Sequence, residues 1–178
     1  MPISDNEWDD NEFPLAYFIT FRTYGTWLHG DDRRSVDTHD GKNVYGFPDR
    51  DPNKNLRNRM RDNMKGLPVC LDRAQRGIVK EAIKEVCEVR GYRLLALNVR
   101  TNHIHVVVSA VKKSETVAGE FKRIATSRLR DNGYFLNGRR IWSRGRSRPP
   151  LWKPREVESA IEYVLYRQGD REGTIDIT

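Results

Sequence analysis

The sequence predicts an α+β fold in which a ferredoxin-like, split βαβ antiparallel sheet carries helices on one face. Strand-like segments lie at residues 15–25 and 92–110, and the second contains two strands joined by a turn. Segments with helical periodicity lie at 72–91, 114–133 and 156–168. With a weak strand before the last segment, the order is strand, helix, strand, strand, helix, strand, helix. This order is that of the split βαβ unit followed by a C-terminal helix.

The first strand is predicted from the alternation of apolar and polar residues in "LAYFITFRTYG", which is rich in aromatic and β-branched side chains. The first helix begins after Asp72, a residue type that caps helices, and ends at Gly91. One side of this helix is apolar along its length, which makes it amphipathic. The apolar stripe consists of Ile78, Val79, Ala82, Ile83, Val86 and Cys87.

Two strands follow, in "YRLLALNVRT" and "HIHVVVSA", and we expect a turn between them at Thr101 and Asn102. The second helix, "SETVAGEFKRIATSRLRDNG", has Ser114 as its candidate N-cap. A short strand is expected around Ile141 and Trp142. These elements complete the predicted sheet.

The composition predicts one domain at residues 15–178 behind an acidic tail at 1–14, with a long loop or insertion at 29–66, where Asp, Arg, Asn and Gly are frequent. Cys70 and Cys87 have no CxxC spacing, which argues against a disulfide framework and favours a reducing, cytoplasmic location. No apolar run approaches the roughly 18 residues of a membrane span, so we expect no membrane partner.

Positive charge is concentrated at residues 121–155, where eleven Lys and Arg accompany one acid, Asp131, for a net charge of +10. Since the whole chain carries +7, the rest of it carries −3. Trp142, Trp152 and Tyr134 lie within this segment. Arginines neutralise phosphates and aromatic faces stack on unpaired bases, so a nucleic acid is the predicted partner. A solvated surface without a partner is the alternative.

Two histidines, His103 and His105, occupy alternate positions of the strand "HIHVVVSA". Such side chains share one face of a strand about 7 Å apart, so both can approach one ion. Neutral imidazoles bind divalent ions, and an ion held by two or three protein ligands can still polarise a phosphate oxygen. Two polar residues on a solvated strand face are the alternative.

The last helix, "EVESAIEYVLYRQ", is expected to end at Gly169 and contains two tyrosines, Tyr163 and Tyr166. Its predicted buried stripe consists of Val157, Ile161, Val164, Leu165 and Gln168. Both tyrosines lie about 150° from the centre of this stripe, on opposite sides, so periodicity does not choose between them. A phenolate that attacks a phosphate forms a covalent phosphodiester, which conserves the bond for rejoining.

The motif "NHIHVVV", together with "YFITFRTYGTWL" and "LWKPREVESAIEYVLYRQGD", resembles the single-tyrosine HUH transposases, which include the insertion-sequence and REP-associated tyrosine transposases. The resemblance covers most of the chain outside the acidic tail and residues 29–66. It implies a ferredoxin-like fold with both histidines on a central strand and a nucleophilic tyrosine on the C-terminal helix. By the "AIEY" match this nucleophile is Tyr163, and the implied cofactor is Mg²⁺ or Mn²⁺ held by His103 and His105.

The third metal ligand departs from the family pattern. Many members have Gln or Asn four residues after the tyrosine, but that position here is Arg167, and the amide, Gln168, comes five residues after. Gln168 lies about 140° from Tyr163 on a regular helix, so it is the expected third ligand only if the turn before Gly169 opens. A helix-end role for Gln168 is the alternative, and Arg167 is then a candidate phosphate contact.

The implied function is metal-dependent cleavage and joining of single-stranded DNA that contains a hairpin, through a 5′-phosphotyrosine intermediate, by a monomer or homodimer. A non-catalytic, ferredoxin-like RNA- or DNA-binding module is one alternative. A metal-dependent nuclease that uses water as its nucleophile is another. The expected DNA-binding residues are Lys122, Arg123, Arg128, Arg139, Arg140, Trp142, Arg144, Arg146, Arg148, Trp152 and Arg167.

Overall fold

The structure is a computed structural model that describes residues 12–26, 53–147 and 149–166, without the side chains of residues 146 and 147. Strands and helices of the described chain follow one another in this order. They are β1 (Ala16–Thr23), α1 (Lys54–Asp62), α2 (Arg73–Arg90), β2 (Arg93–Val99), β3 (His103–Ser109), α3 (Ser114–Asp131), β4 (Trp142–Ser147), β5 (Pro150–Leu151) and α4 (Pro154–Tyr166).

The strands form one antiparallel sheet in the order β2-β3-β1-β4, and β5 also pairs with β1. β1 and β3 are therefore the central strands, and β2 and β4 lie outside them. Because α2 connects β1 to β2 and α3 connects β3 to β4, this is the ferredoxin-like arrangement. The predicted fold class is confirmed.

The sheet has two differently covered faces. On the face that we call the helical face, α2 and α3 pack on side chains such as Phe21, Ile104 and Val106, which are fully buried. On the other face, the buried residues Ala160 and Val164 of α4 belong to a smaller apolar cluster around β1 and β3. The C-terminal helix thus lies opposite the two helices of the split βαβ unit.

Local sequence explains where α2 begins and ends. Asp72 and Gln75 form a capping box, in which the Gln75 N–H donates to Asp72 Oδ1 at 2.8 Å and the Asp72 N–H donates to Gln75 Oε1 at 3.0 Å. Gly91 ends the helix with φ 68°, a left-handed conformation that glycine adopts without steric cost. Burial raises the pKa of the Cys87 thiol to about 12, which suits a core residue.

The start of α3 differs from the prediction by one residue. Ser114 is the first helical residue, and Lys113 occupies the N-cap position without a side-chain hydrogen bond. The Ser114 hydroxyl instead donates to Glu115 Oε2 at 3.5 Å. The predicted N-cap role of Ser114 was therefore wrong, since its side chain turns toward the neighbouring carboxylate.

Part of the segment predicted as a long loop or insertion forms helix α1. Its N-cap is Asn53, whose side chain accepts a hydrogen bond of 3.0 Å from the Leu56 N–H. No residue of α1 is buried, and Leu56 and Met60 are its apolar side chains, too few for the periodicity that predicts a helix. None of the described helices combines the length and apolar character needed to cross a lipid bilayer.

Helix α4 has a well-defined N-terminus. Pro154 is its first residue, a position where the missing N–H costs nothing. Glu156 reaches back and accepts hydrogen bonds from the N–H groups of Trp152 (2.9 Å) and Lys153 (3.1 Å). This cap fixes the direction in which α4 crosses the sheet.

Candidate catalytic site

The two histidines of β3 lie side by side on the sheet face opposite α2 and α3, which we call the histidine face. Their ring centroids are 4.8 Å apart with planes at 75°. The intervening Ile104 points into the core of the helical face and is fully buried. His105 is 7% exposed and His103 is half-buried. The alternation of the strand thus brings both imidazoles together, as the sequence predicts.

Each imidazole contacts a side-chain oxygen through Nδ1. His103 Nδ1 donates to Asn102 Oδ1 at 2.6 Å, and His105 Nδ1 shares a hydrogen bond of 2.8 Å with Thr20 Oγ1. An imidazole that donates from Nδ1 carries its lone pair on Nε2, which is the form that binds a metal ion. His103 has this form because the Asn102 amide oxygen accepts, and His105 has it when its Nδ1 donates to the Thr20 hydroxyl. Two such imidazoles on one face fit a divalent cation as a donor set.

The expected third ligand, Gln168, lies outside the described residues, as do Arg148 and Arg167. In the part of the chain that the structure describes, no group of three or more His, Cys, Asp or Glu side chains forms a further candidate metal site. His103 and His105 are therefore the metal-ligand candidates that the structure places, and the identity of a third ligand stays a prediction.

Helix α4 brings one of the two candidate tyrosines to the histidines. The Tyr163 ring centroid is 5.8 Å from that of His105 at 82°, and 5.8 Å from that of Phe18 at 74°. Phe18 in turn stacks on His105 at 5.5 Å. Tyr163 is 37% exposed, whereas Tyr166, one turn later, is 68% exposed. The structure thus distinguishes two tyrosines that periodicity left equivalent, and Tyr163 is the one beside a histidine.

Two further polar residues share this face and were not identified from the sequence. Arg22 pairs with His103 across the β1–β3 ladder, and Asn98 pairs with His105 across the β2–β3 ladder. Directly opposite residues of neighbouring strands share a face, so both side chains belong to the histidine face. Arg22 falls outside the basic segment 121–155, and only the strand register places it beside a histidine.

Two of the expected DNA-binding residues, Lys122 and Trp142, connect α3 to β4 instead. Lys122 Nζ donates to the carbonyl oxygens of Ser143 (2.8 Å) and Gly145 (3.4 Å). Trp142 is 8% exposed, and its Nε1–H donates to Thr126 Oγ1 at 2.9 Å. The buried indole offers no open face to a base, which corrects the expected stacking role of Trp142.

Arg128 lies across the helix layer, away from the histidine face. Its guanidinium makes a two-pronged contact with Glu85 of α2, at 2.9 Å from Nε and 2.5 Å from a terminal nitrogen. These hydrogen bonds lower the pKa of the Glu85 carboxyl below its ordinary value. Arg128 thus joins α2 to α3, and the structure does not bring it to the histidines.

Arg139 and Arg140 lie at the end of the sheet where β3 begins. Both guanidiniums approach the Tyr24 ring, at 6.0 and 5.5 Å from its centroid. Tyr24 directly follows β1, where the Thr23 N–H donates to the Asn102 carbonyl at 2.9 Å, next to His103. These two arginines are therefore the expected DNA contacts that the topology brings to the histidine end of the sheet.

For the remaining expected DNA-binding residues of the described chain, the structure gives a position but shows no contact with the histidine face. Arg123 and Arg144 are exposed, on α3 and β4 respectively. Trp152 is half-buried immediately before α4. For Arg146 the structure gives the backbone alone, in register with Phe21 of β1. Their roles at a nucleic acid stay predictions.

Comparison with known proteins gives matches to one protein family and to solved structures. Residues 68–148 match the family of IS200-like transposases, a range that includes both histidines and ends before α4. A search of curated proteins gave no match. Among solved structures, the fold is similar to that of a REP-associated tyrosine transposase bound to a REP hairpin, with a TM-score of 0.51 and 12% identity over 87% of this chain and 67% of that one. The first match confirms the resemblance predicted from the sequence, and the second confirms the fold.

Proposed function

We propose that this chain, which matches the IS200-like transposase family over residues 68–148 and is similar in fold to a REP-associated tyrosine transposase, cleaves and rejoins single-stranded DNA with Tyr163 as its nucleophile. The observation that carries the proposal is the contact between Tyr163 and His105, at 5.8 Å between ring centroids. These residues are far apart in sequence and belong to different elements, α4 and β3. A nucleophile and a pair of metal ligands on one face are the parts that phosphoryl transfer requires.

His103 and His105 would hold Mg²⁺ or Mn²⁺, which when bound withdraws charge from the oxygens of the scissile phosphate. Thr20 and Asn102 keep the imidazoles oriented through their Nδ1 atoms. The Arg22 guanidinium, in register with His103, supplies positive charge to the same face. The protein thereby concentrates cationic and metal-binding groups where a phosphate would be attacked.

Tyr163 would attack the phosphorus in line, after its phenolic proton is lost to solvent. The new bond joins the phenolic oxygen to phosphorus, and the bond between phosphorus and the 3′-oxygen breaks. The 3′-oxygen takes up a proton and leaves as a hydroxyl, while the 5′ end stays on the tyrosine. Attack by another 3′-hydroxyl reverses the step and joins two strands. Phe18 and His105 hold the Tyr163 ring edge-on during this exchange.

We infer that the DNA approaches from the end of the sheet that carries Arg139, Arg140 and Tyr24. Two guanidiniums at one aromatic ring can bind phosphates, and that ring belongs to the residue after Thr23, whose N–H donates to the Asn102 carbonyl next to His103. Since the similar solved structure contains a REP hairpin, a single strand with a hairpin is the substrate to test first.

The test is formation of a covalent adduct. The protein is incubated with a labelled single-stranded hairpin and Mg²⁺, denatured, and analysed for label that stays on the protein. We expect an adduct that peptide mapping assigns to Tyr163. Cleavage without an adduct would indicate a nuclease that uses water, and binding without cleavage would indicate a non-catalytic module. An adduct on Tyr166 would contradict the assignment of the nucleophile.

A further inference from the structure

We propose that Asn98 is a positioning residue whose side-chain amide fixes α4 so that Tyr163 stays beside His105, an inference that rests on the proposed role of Tyr163. Asn98 Nδ2 donates to the main-chain carbonyl of Val164 at 3.1 Å. Val164 directly follows Tyr163 in α4, and Asn98 lies opposite His105 in the β2–β3 ladder. One hydrogen bond therefore connects the strand pair that carries the histidines to the helix that carries the tyrosine.

The burial of Asn98 indicates that its amide serves a directed contact. Asn98 is 8% exposed and is flanked in β2 by Leu97 and the half-buried Val99. A buried amide is unfavourable unless its polar atoms are bonded, so packing alone would favour an apolar residue here. The amide is directed at the Val164 carbonyl of α4, and a backbone carbonyl oxygen has two lone pairs, so it can accept a bond from outside the helix.

The apolar contacts of α4 with the sheet do not specify its rotation in the same way. Ala160 and Val164 pack in an apolar cluster with residues such as Phe18 and Val107. Apolar contacts are non-directional, and small side chains permit sliding and rotation. A shift of one residue along a helix moves each side chain by about 1.5 Å and turns it by about 100°. Such a shift would remove Tyr163 from His105, and the Asn98 bond opposes it.

The test compares two replacements of Asn98 that differ in whether the amide donor is kept. Asn98→Asp keeps the shape and removes the donor, whereas Asn98→Gln keeps an amide donor on a longer side chain. At saturating hairpin and Mg²⁺, we expect Asn98→Asp to form the Tyr163 adduct about 100-fold more slowly, the loss typical of a 1 Å misplacement. Hairpin affinity should stay within about twofold, and Asn98→Gln should recover part of the rate. If Asn98 only stabilised the fold, its replacement would not lower the rate of adduct formation while leaving hairpin affinity unchanged.

The matched control is Asn132, whose side-chain amide donates to the Arg128 carbonyl at 2.8 Å, at the C-terminus of α3. Asn132→Asp removes a bond of the same type on another helix and should leave the adduct rate unchanged. Asn98→Ala, which also lacks the donor and introduces no buried carboxylate, replaces Asn98→Asp if that variant does not fold.

Hydrogen exchange tests the anchoring independently of activity. In Asn98→Asp, backbone amides of α4 should exchange faster than in the unsubstituted protein, while those of β3 and α2 keep their protection. If the unsubstituted protein forms no adduct, the proposed function fails, and the exchange experiment still decides whether Asn98 anchors α4. Wild-type rates of both adduct formation and α4 exchange in Asn98→Asp would overturn the proposal.

Discussion

Replacing Thr20 with valine tests whether its hydroxyl sets the tautomer of His105 that binds a metal ion. Valine has nearly the same shape as threonine and lacks the hydroxyl that meets His105 Nδ1 at 2.8 Å. When the Thr20 hydroxyl accepts from Nδ1, it favours the tautomer that carries its lone pair on Nε2. Without this partner, the two neutral tautomers become closer in energy, and in part of the population Nε2 is protonated and cannot bind a metal. His105 is 7% exposed, so water is poorly placed to take over the lost contact.

The size of the effect follows from the contacts that stay in place. Loss of a partner that orients a metal ligand typically costs about 10- to 100-fold in metal affinity or activity. Phe18 still stacks on His105 at 5.5 Å and holds the plane of the ring. We therefore expect the lower part of this range for Thr20→Val, about a 20-fold weaker metal affinity, which corresponds to about 1.8 kcal/mol.

The assay is titration of the protein with Mn²⁺, followed by electron paramagnetic resonance of the free ion, with the adduct rate measured in parallel. Thr126→Val is the matched control, since the Thr126 hydroxyl also makes half-buried hydrogen bonds, to the Lys122 carbonyl and Trp142 Nε1, on the helical face. That variant should bind Mn²⁺ normally. If Thr20→Val binds Mn²⁺ within about twofold of the unsubstituted protein, the reasoning about the tautomer is refuted.

Three further outcomes are expected. His105→Ala should abolish cleavage and leave hairpin binding intact, because the ion serves the chemistry, and EDTA should reproduce this; cleavage at the normal rate would exclude the metal role. Tyr163→Phe should lose the adduct while Tyr166→Phe retains it, and a denaturing gel distinguishes the two. Arg140→Ala should flatten the slope of log affinity against log salt by about 0.7, the value for one phosphate contact on a single strand. Arg128→Ala, which breaks the contact with Glu85, should leave that slope unchanged in the same titration.

Local chemistry made much of the fold predictable. The cap at Asp72 and the left-handed Gly91 fix the ends of α2, and both follow from the residue types at those positions. The strand alternation placed His103 and His105 on one face. In contrast, Thr20 and Asn98 reach His105 only through the pairing of β1 and β2 with β3. That register depends on contacts between distant segments, which one sequence does not reveal.

The choice between the tyrosines depended on a small residue. The predicted stripe of α4 omitted Ala160, which with Val164 is fully buried in the structure. On a regular helix, the line between these two residues lies about 80° from Tyr163 and about 140° from Tyr166. Since alanine contributes little to an apolar pattern, periodicity placed the stripe too far from Tyr163.

The positive charge of residues 121–155 did not by itself identify which residues can contact DNA. A count of charges along the chain does not show where each side chain points, since successive residues of a helix point about 100° apart. Lys122 thus meets β4, and Arg128 meets α2. The indole of Trp142 was expected to stack on a base, but the Thr126 hydroxyl on α3 satisfies its N–H inside the protein.

The alternation along β3 gives the two sides of one strand different roles, one in stability and one in chemistry. Ile104, Val106 and Val108 support the main core, whereas His103 and His105 face the other side. Mutations at the first set change the free energy of unfolding, and mutations at the second set change the activity of the folded protein. The hydrophobic interior can therefore be redesigned for heat resistance while the opposite side of the same strand retains its chemistry.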